Sequence, residues 1–324
     1  MIDASVLVVG GGAIGGVTAA KLTGAVRRVV VLDAARDHVR RLNEGLRLDD
    51  LGEQRTVQVA AVAEPPRERF DFALVTVKAA HHEAALRPLE SVDAFVSLGN
   101  GLVQDRIEEL VGADRLIAGI VEWGATNLGP GHLAQTTRGP FVVGELDGPP
   151  RDRTHRLAEV LSPVAEVKLS DDIRSVIWAK LLVNSVFSGL GAVAGQSYAD
   201  VVADADGRRV ALAMWREGYD VGLAQGLTPG TVLGVEASAL AQGDEAALEQ
   251  AMAGHGATYA SMLQDLERGA PTEVDVIDGA VVERGREHGV PTPLHERVVE
   301  LIHAAERGER EPGPDALRDL ERLA

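Results

Sequence analysis

The feature that most constrains this chain lies at its start, where four apolar residues run straight into a cluster of glycines. Val6-Leu7-Val8-Val9 leads into Gly10-Gly11-Gly12-Ala13-Ile14-Gly15, which fits the spacing G-x-G-x-x-G at Gly10, Gly12 and Gly15. Each glycine in that order has its own physical reason. The first permits a tight turn, the second lets the backbone approach a pyrophosphate, and the third lets strand and helix pack closely. The helix that follows presents unsatisfied N–H groups and a positive dipole end to the phosphates. A lone glycine motif also occurs in ordinary turns. Here a strand precedes it, a helical segment follows, and a second strand ends at Asp33. In that context Gly10, Gly11, Gly12, Ala13, Ile14 and Gly15 are the expected dinucleotide cradle.

Asp33 is the candidate reader of the cofactor's ribose. A carboxylate there bonds the 2′-hydroxyl and repels a 2′-phosphate, which favours NAD over NADP. Two other readings stand beside it. Asp33 is also a residue type that caps helices, and Arg36, three positions on, is able to accept the phosphate of NADP.

The first half of the chain continues the pattern that the glycines begin. Strand-like runs at 6–9, 29–32, 57–62, 72–77, 94–98 and 116–120 alternate with helical stretches such as 14–23 and 37–43. A more antiparallel stretch is expected over 131–144. Buried apolar strands alternating with helices form a parallel sheet covered on both faces. From Asp171 onward helical periodicity dominates, interrupted near Gly226, Gly243, Gly269 and Gly289. The predicted fold is therefore α/β: a Rossmann doubly wound parallel sheet over 1–172, then an all-helical domain over 173–324 for substrate and dimerisation. The charged tail from Arg307 reads as a surface helix.

Composition excludes several function classes. A net charge of −17 disfavours nucleic acid and anionic membrane as partners. The absence of cysteine removes disulfides, thiolate nucleophiles and Cys-ligated metals. The N-terminus lacks the form of a signal peptide, and no apolar run is expected to approach the roughly 20 residues that span a bilayer. A cytoplasmic location follows as the expectation. His81 and His82 are adjacent, and His288, His295 and His303 read as scattered over a polar surface, so no metal site is expected.

One lysine sits where a charge is costly. On a helix starting near Asp171, Ile173, Val176, Ile177, Lys180, Leu181 and Asn184 share one stripe, and the far side is apolar too. Burial of an ammonium lowers its pKa and suits it to proton donation near neutral pH. The alternative is a lysine that snorkels at a domain boundary.

Ile173-Arg174 followed by Trp178-x-Lys180-Leu181-x-x-Asn184 resembles the signature of the ketopantoate reductases (2-dehydropantoate 2-reductases). Val75-Thr76-Val77-Lys78-Ala79, Leu98-Gly99-Asn100-Gly101 and Ser261-Met262-Leu263-Gln264-Asp265 with Thr272-Glu273-Val274-Asp275 fit the same family in order and spacing. The resemblance implies a second domain like that of 6-phosphogluconate dehydrogenase, and catalysis in a cleft between the domains. By position it makes Lys180 the general acid and Glu273 the residue that binds substrate hydroxyl and orients the lysine. It makes Asn184 and Ser261 substrate ligands, places Asn100 between nicotinamide ribose and substrate, and puts Lys78 near the cofactor. It implies hydride transfer from NAD or NADP to a small 2-keto acid, a homodimer, and a place in pantothenate biosynthesis.

Three positions depart from the family pattern. Ser188-Gly189 stands where a second asparagine followed by proline is usual, Thr258 replaces another substrate-side asparagine, and Ala34 replaces the arginine that reads the NADP phosphate. The departures leave two further readings open: the same fold acting on another keto acid, hydroxy acid or imine, and a dinucleotide sensor without turnover. Trp123 reads as either a substrate-facing or a core aromatic.

Overall fold

The computed structural model describes residues 1–254 and 258–324. By contact the chain divides into two compact units, one formed by 1–99 with 103–173 and the other by 100–102 with 174–324. This division falls within one residue of the expected boundary at 172/173 and counts 100–102 with the helical unit.

The first unit holds two sheets. Its strands in chain order are β1 (Ile2–Val9), β2 (Val26–Leu32), β3 (Leu46–Asp50), β4 (Glu53–Val57), β5 (Ala61–Val62) and β6 (Phe70–Val75). They continue with β7 (Val92–Ser97), β8 (Leu116–Val121), β9 (Ala125–Gly129), β10 (His132–Gln135), β11 (Phe141–Gly144) and β12 (Val167–Ser170). The larger sheet has eight strands in the order β12-β11-β8-β7-β6-β1-β2-β5. All its pairings are parallel except β11 against β8. Helices α1 (Ala13–Leu22), α2 (Arg36–Gly45), α3 (His82–Leu86), α4 (Gln104–Val111) and α5 (Asp152–Leu161) join the strands. Coverage on both faces explains why β1 is buried without a break from Ala4 to Val9.

The second sheet, β4-β3-β10-β9, divides two segments that the sequence presents as single strands. Val57 ends β4, whereas Ala61 and Val62 join the large sheet beside β2. The 131–144 stretch splits likewise, β10 pairing with β3 and β9 while β11 pairs with β8. Trp123 is 4% exposed and meets Phe141 edge to face, which makes it a core aromatic.

The second unit contains α6 (Ile173–Val183), α7 (Gly189–Ala194), α8 (Tyr198–Ala203), α9 (Ala205–Ala224), α10 (Ala237–Ala241) and α11 (Glu245–Met252). It continues with α12 (Ser261–Glu267), α13 (Val274–His288), α14 (Pro293–Glu306) and α15 (Asp315–Glu321). Among the described residues, a two-stranded ribbon, Thr231–Val232 with Val235–Glu236, interrupts its helical character. The final helix is no mere surface element, since Ala316, Leu317 and Leu320 are buried and α15 packs on α9.

One membrane expectation needs correction. Ile173–Ala194 runs for 22 residues and holds an apolar window of mean hydropathy 1.6, long and apolar enough by composition to cross a bilayer. Burial within the protein covers 83% of its most apolar window, so it is a core helix.

Candidate active site

In the first unit, steric demand explains the glycine spacing. Gly10 has φ +104°, and a Cβ there would lie 2.8 Å from Val77 Cγ1. A Cβ on Gly15 would lie 2.0 Å from the Gly10 carbonyl oxygen, whereas one on Gly12 would meet nothing within 4 Å. Gly10 and Gly15 are thus required by packing, and Gly12 opens onto free space. Helix α1 begins at Ala13, and its N-cap, Gly12, has no side chain to occupy the N–H groups of the first turn.

Asp33 is bound into this loop. Its Oδ2 accepts from the Gly11 N–H at 2.8 Å and its Oδ1 from the Ala35 N–H at 2.8 Å. Because Ala35 is itself the N-cap of α2, Asp33 forms a turn before the helix and does not cap it. Arg36 pairs with Glu64 at 2.7 Å on the exposed surface. Thr76, not singled out from sequence, donates through Oγ1 to the carbonyls of Val9 and Gly10 at 3.0 and 2.9 Å. A threonine closing an apolar strand was the available signal. Two residues later, half-buried Lys78 starts a short 3₁₀ turn over Ala79–His81.

In the second unit, Lys180 is half-buried on α6, one helical turn before Asn184. At Asn184 the helix loosens into a π turn, Asn184–Ser188, before α7 resumes it. Such turns frequently mark functional sites. Asn184 Nδ2 lies 3.5 Å from Asn100 Oδ1, the long limit of a hydrogen bond. The backbone beside Asn100 is fixed to α13, because Leu102 N–H donates to the Val276 carbonyl at 2.7 Å. Gly101 makes this approach possible. It has φ +82°, and a Cβ on it would lie 2.4 Å from the Val276 oxygen. Val276 N–H in turn donates to the carbonyl of Glu273, the N-cap position of α13. Thr272 stands one residue before that position; its hydroxyl and its N–H both donate to Glu306 at 2.8 Å, and its Oγ1 accepts from the Val274 N–H at 3.3 Å. Ser261, exposed, opens α12, which packs against α7 and the π turn. The structure therefore brings together the segments bearing Lys180, Asn184, Asn100, Glu273 and Ser261. The glycine cradle, Asp33 and Lys78 belong to the first unit.

Two buried ionisable side chains lie near these elements. His295 is fully buried, against the expectation of a polar surface, and its Nδ1 meets Glu217 Oε2 at 3.0 Å. Glu217 also accepts the N–H groups of Leu294 and His295, so it caps α14 from α9. Asp278 on α13 is fully buried, and neither carboxyl oxygen has a hydrogen-bond partner among the described residues. Burial pushes its pKa well above the carboxylate range. Among the described residues no cluster of three metal-ligating side chains occurs.

Comparison with known proteins identifies the family. Residues 6–148 match the family model described as ketopantoate reductase PanE/ApbA, and residues 172–306 match its C-terminal model. The 2-dehydropantoate 2-reductase of Archaeoglobus fulgidus is 31% identical over 306 residues, covering 94% of this chain and 98% of that protein. That of Mesorhizobium japonicum is 30% identical with the same coverage. Among solved structures, a ketopantoate reductase from Ralstonia eutropha JMP134 superposes with TM-score 0.82 at 25% identity, covering 95% of this chain and all of that one. A D-mandelate dehydrogenase solved with NADH and anilino(oxo)acetate gives TM-score 0.83 at 23% identity, covering 94% and 98%, a likeness of fold. Matched in both of its units, and along most of its length by curated relatives, the chain belongs to the ketopantoate reductase family of enzymes.

Proposed function

We propose that the protein reduces a small 2-keto acid with a nicotinamide cofactor, 2-dehydropantoate to pantoate being the leading reaction, and that Lys180 is its general acid. The observation that carries this reading is the convergence of Lys180, Asn184, Asn100 and the Glu273 turn within one unit. The glycine cradle fits the cofactor. Gly12 leaves room for a pyrophosphate, the α1 N–H groups point at it, and Asp33 retains lone pairs for a ribose hydroxyl. That carboxylate favours NAD over NADP, and Lys78 completes the cofactor's surroundings. When bound, the reduced nicotinamide supplies a hydride to the keto carbon.

The protein's own part is to hold the substrate and move a proton. Asn100, Asn184 and Ser261 bind the keto acid, with Ser261 toward its carboxylate and Asn100 also toward the nicotinamide ribose. As negative charge grows on the keto oxygen, the Lys180 ammonium stabilises it and then donates its proton there. Glu273 takes the substrate hydroxyl and steers the ammonium. Retention of both Lys180 and Glu273 speaks against a sensor without turnover, which needs neither.

One observation favours a second reading, the same chemistry on a different keto acid. Ser188 stands where the family has a further asparagine, yet it is 4% exposed and its hydroxyl bonds Tyr198 Oη at 2.6 Å. That position is committed to the core. Thr258, replacing the other asparagine, is exposed. The solved relative of D-mandelate specificity makes an aryl keto acid a sensible member of any panel. A cytoplasmic homodimer serving pantothenate biosynthesis completes the reading, by family resemblance.

The test mixes protein, NADH or NADPH, and a panel of 2-keto acids including ketopantoate, and follows the reduced nicotinamide by absorbance. Lys180→Ala should lower kcat on the order of 10²–10⁴-fold while cofactor affinity stays near that of the parent. A fully active Lys180→Ala variant would defeat the proposal.

A further inference from the structure

We propose that His38 is a positioning residue for the dinucleotide loop, its ring N–H toward Gly11 holding the glycines in their binding conformation while the β9–β10 hairpin seats the ring. The inference rests on the glycine loop being the cofactor cradle. His38 lies on α2, 6% exposed, on the face it shares with buried Leu42. Its Nδ1 accepts from the Gly131 N–H at 3.0 Å. An N–H can donate only to an unprotonated ring nitrogen, so the ring proton resides on Nε2, which lies 2.7 Å from the Gly11 carbonyl and donates to it. The two backbone partners thus select one neutral tautomer. Gly11 is held at both ends of its polar backbone, its N–H by Asp33 and its carbonyl by His38.

The other end of this link is anchored. Gly131 has φ +71°, a Cβ on it would lie 2.4 Å from Arg41 Cβ, and its carbonyl accepts from the Arg47 N–H on β3 at 2.9 Å. Two residues on, fully buried Leu133 presses on α1 so closely that a Cβ on Gly16 would lie 2.2 Å from its Cδ1. The hairpin therefore touches both the helix that follows the loop and, through His38, the loop itself. Consecutive glycines lose more backbone freedom on ordering than any other residues. A side chain that orders them before the cofactor arrives removes that loss from the binding step.

Two near-isosteric variants separate the arms of the imidazole. In His38→Gln the amide Nε2 replaces the donor toward Gly11, and the acceptor toward Gly131 is lost. In His38→Asn the amide Oδ1 replaces the acceptor toward Gly131, and the donor toward Gly11 is lost. Titrations of NADH and NADPH by fluorescence should give His38→Gln a dissociation constant within about twofold of wild type, and His38→Asn one about tenfold weaker. At saturating cofactor both should keep most of kcat, so the Asn effect appears in the cofactor KM. Melting of the cofactor-free proteins should show the opposite order, with His38→Gln the less stable. A purely structural histidine would make affinity follow melting temperature; that result, or equal affinities for the two variants, overturns the proposal. Failure of wild-type protein to bind either cofactor overturns the cradle reading as well, whereas failure of the Gln/Asn pattern overturns only this one.

Discussion

At the scale of single residues, Asp33 ties two backbone N–H groups of its loop, and the proposed function adds to this the reading of the cofactor's ribose. Each carboxyl oxygen accepts one backbone N–H, from Gly11 and Ala35, which leaves each a lone pair for a ribose hydroxyl. Replacing Asp33 by Ser removes the charge that repels a 2′-phosphate. The ratio of kcat/KM for NADPH over NADH should rise about tenfold, equivalent to roughly 1.4 kcal/mol, and both cofactors should bind less tightly because the loop loses an acceptor. An unchanged ratio would show that Asp33 does not read the ribose. The spacing of Gly10, Gly12 and Gly15 was legible because it answers a local steric demand, visible in where a Cβ would collide. Thr76 and His38 were not, because their partners are remote in sequence: the Thr76 hydroxyl reaches back to Val9 and Gly10, and the His38 ring to Gly131. His38 did leave one trace, a polar residue four positions before Leu42 on an otherwise charged helix.

At the scale of elements, the helix carrying Lys180 is seated by a notch on α9. Trp178 donates through Nε1 to the Gly218 carbonyl at 3.0 Å, and a Cβ on Gly222 would lie 2.5 Å from that nitrogen. Leu182 fills the same notch against Gly218. Gly222→Ala overpacks the seat, at a cost of about 1–3 kcal/mol. Melting should fall by about 2–4 °C per kcal/mol for a unit of this size, and kcat should fall with it, since Trp178 is two residues from Lys180. Gly230→Ala, whose Cβ would meet nothing within 4 Å, is the control and should change neither. A Gly222→Ala protein with unaltered melting would remove the notch from the account. The apolar stripe of α6 was readable from helical period, but the π turn at Asn184 was not, because it depends on what the helix packs against. The second sheet was hidden for a related reason. Strand β4 is polar and exposed, β3 alternates only over Leu46–Leu48, and the partner that closes the sheet, β10, arrives over 80 residues later.

At the scale of the whole molecule, the two units carry buried acids whose protonation preferences are opposed. In the first unit, burial alone would raise the pKa of Glu145. Hydrogen bonds from Arg153 and Thr154 outweigh it and hold the carboxyl below its ordinary range. The folded state therefore favours the ionised form, so this contribution to stability is present above the unfolded pKa, roughly 4.3, and is lost as pH falls through the folded value. In the second unit, burial raises the pKa of Asp278 well above the ordinary carboxylate range, so folding favours its protonated form. Its contribution is complete below the unfolded pKa, roughly 3.9, and declines as pH rises toward the folded value, because the unfolded chain ionises first. Acid should thus weaken the sheet unit and alkali the helical one. Calorimetry between about pH 2 and pH 9 should show the unfolding endotherms moving in opposite senses at the two extremes. Glu145→Gln should flatten the acid loss and leave the alkaline limb alone. Asp278→Asn, neutral at every pH, should raise the melting temperature more at pH 9 than at pH 5. Equal gains at both pH values would mean that the buried acid is not what the alkaline limb reports.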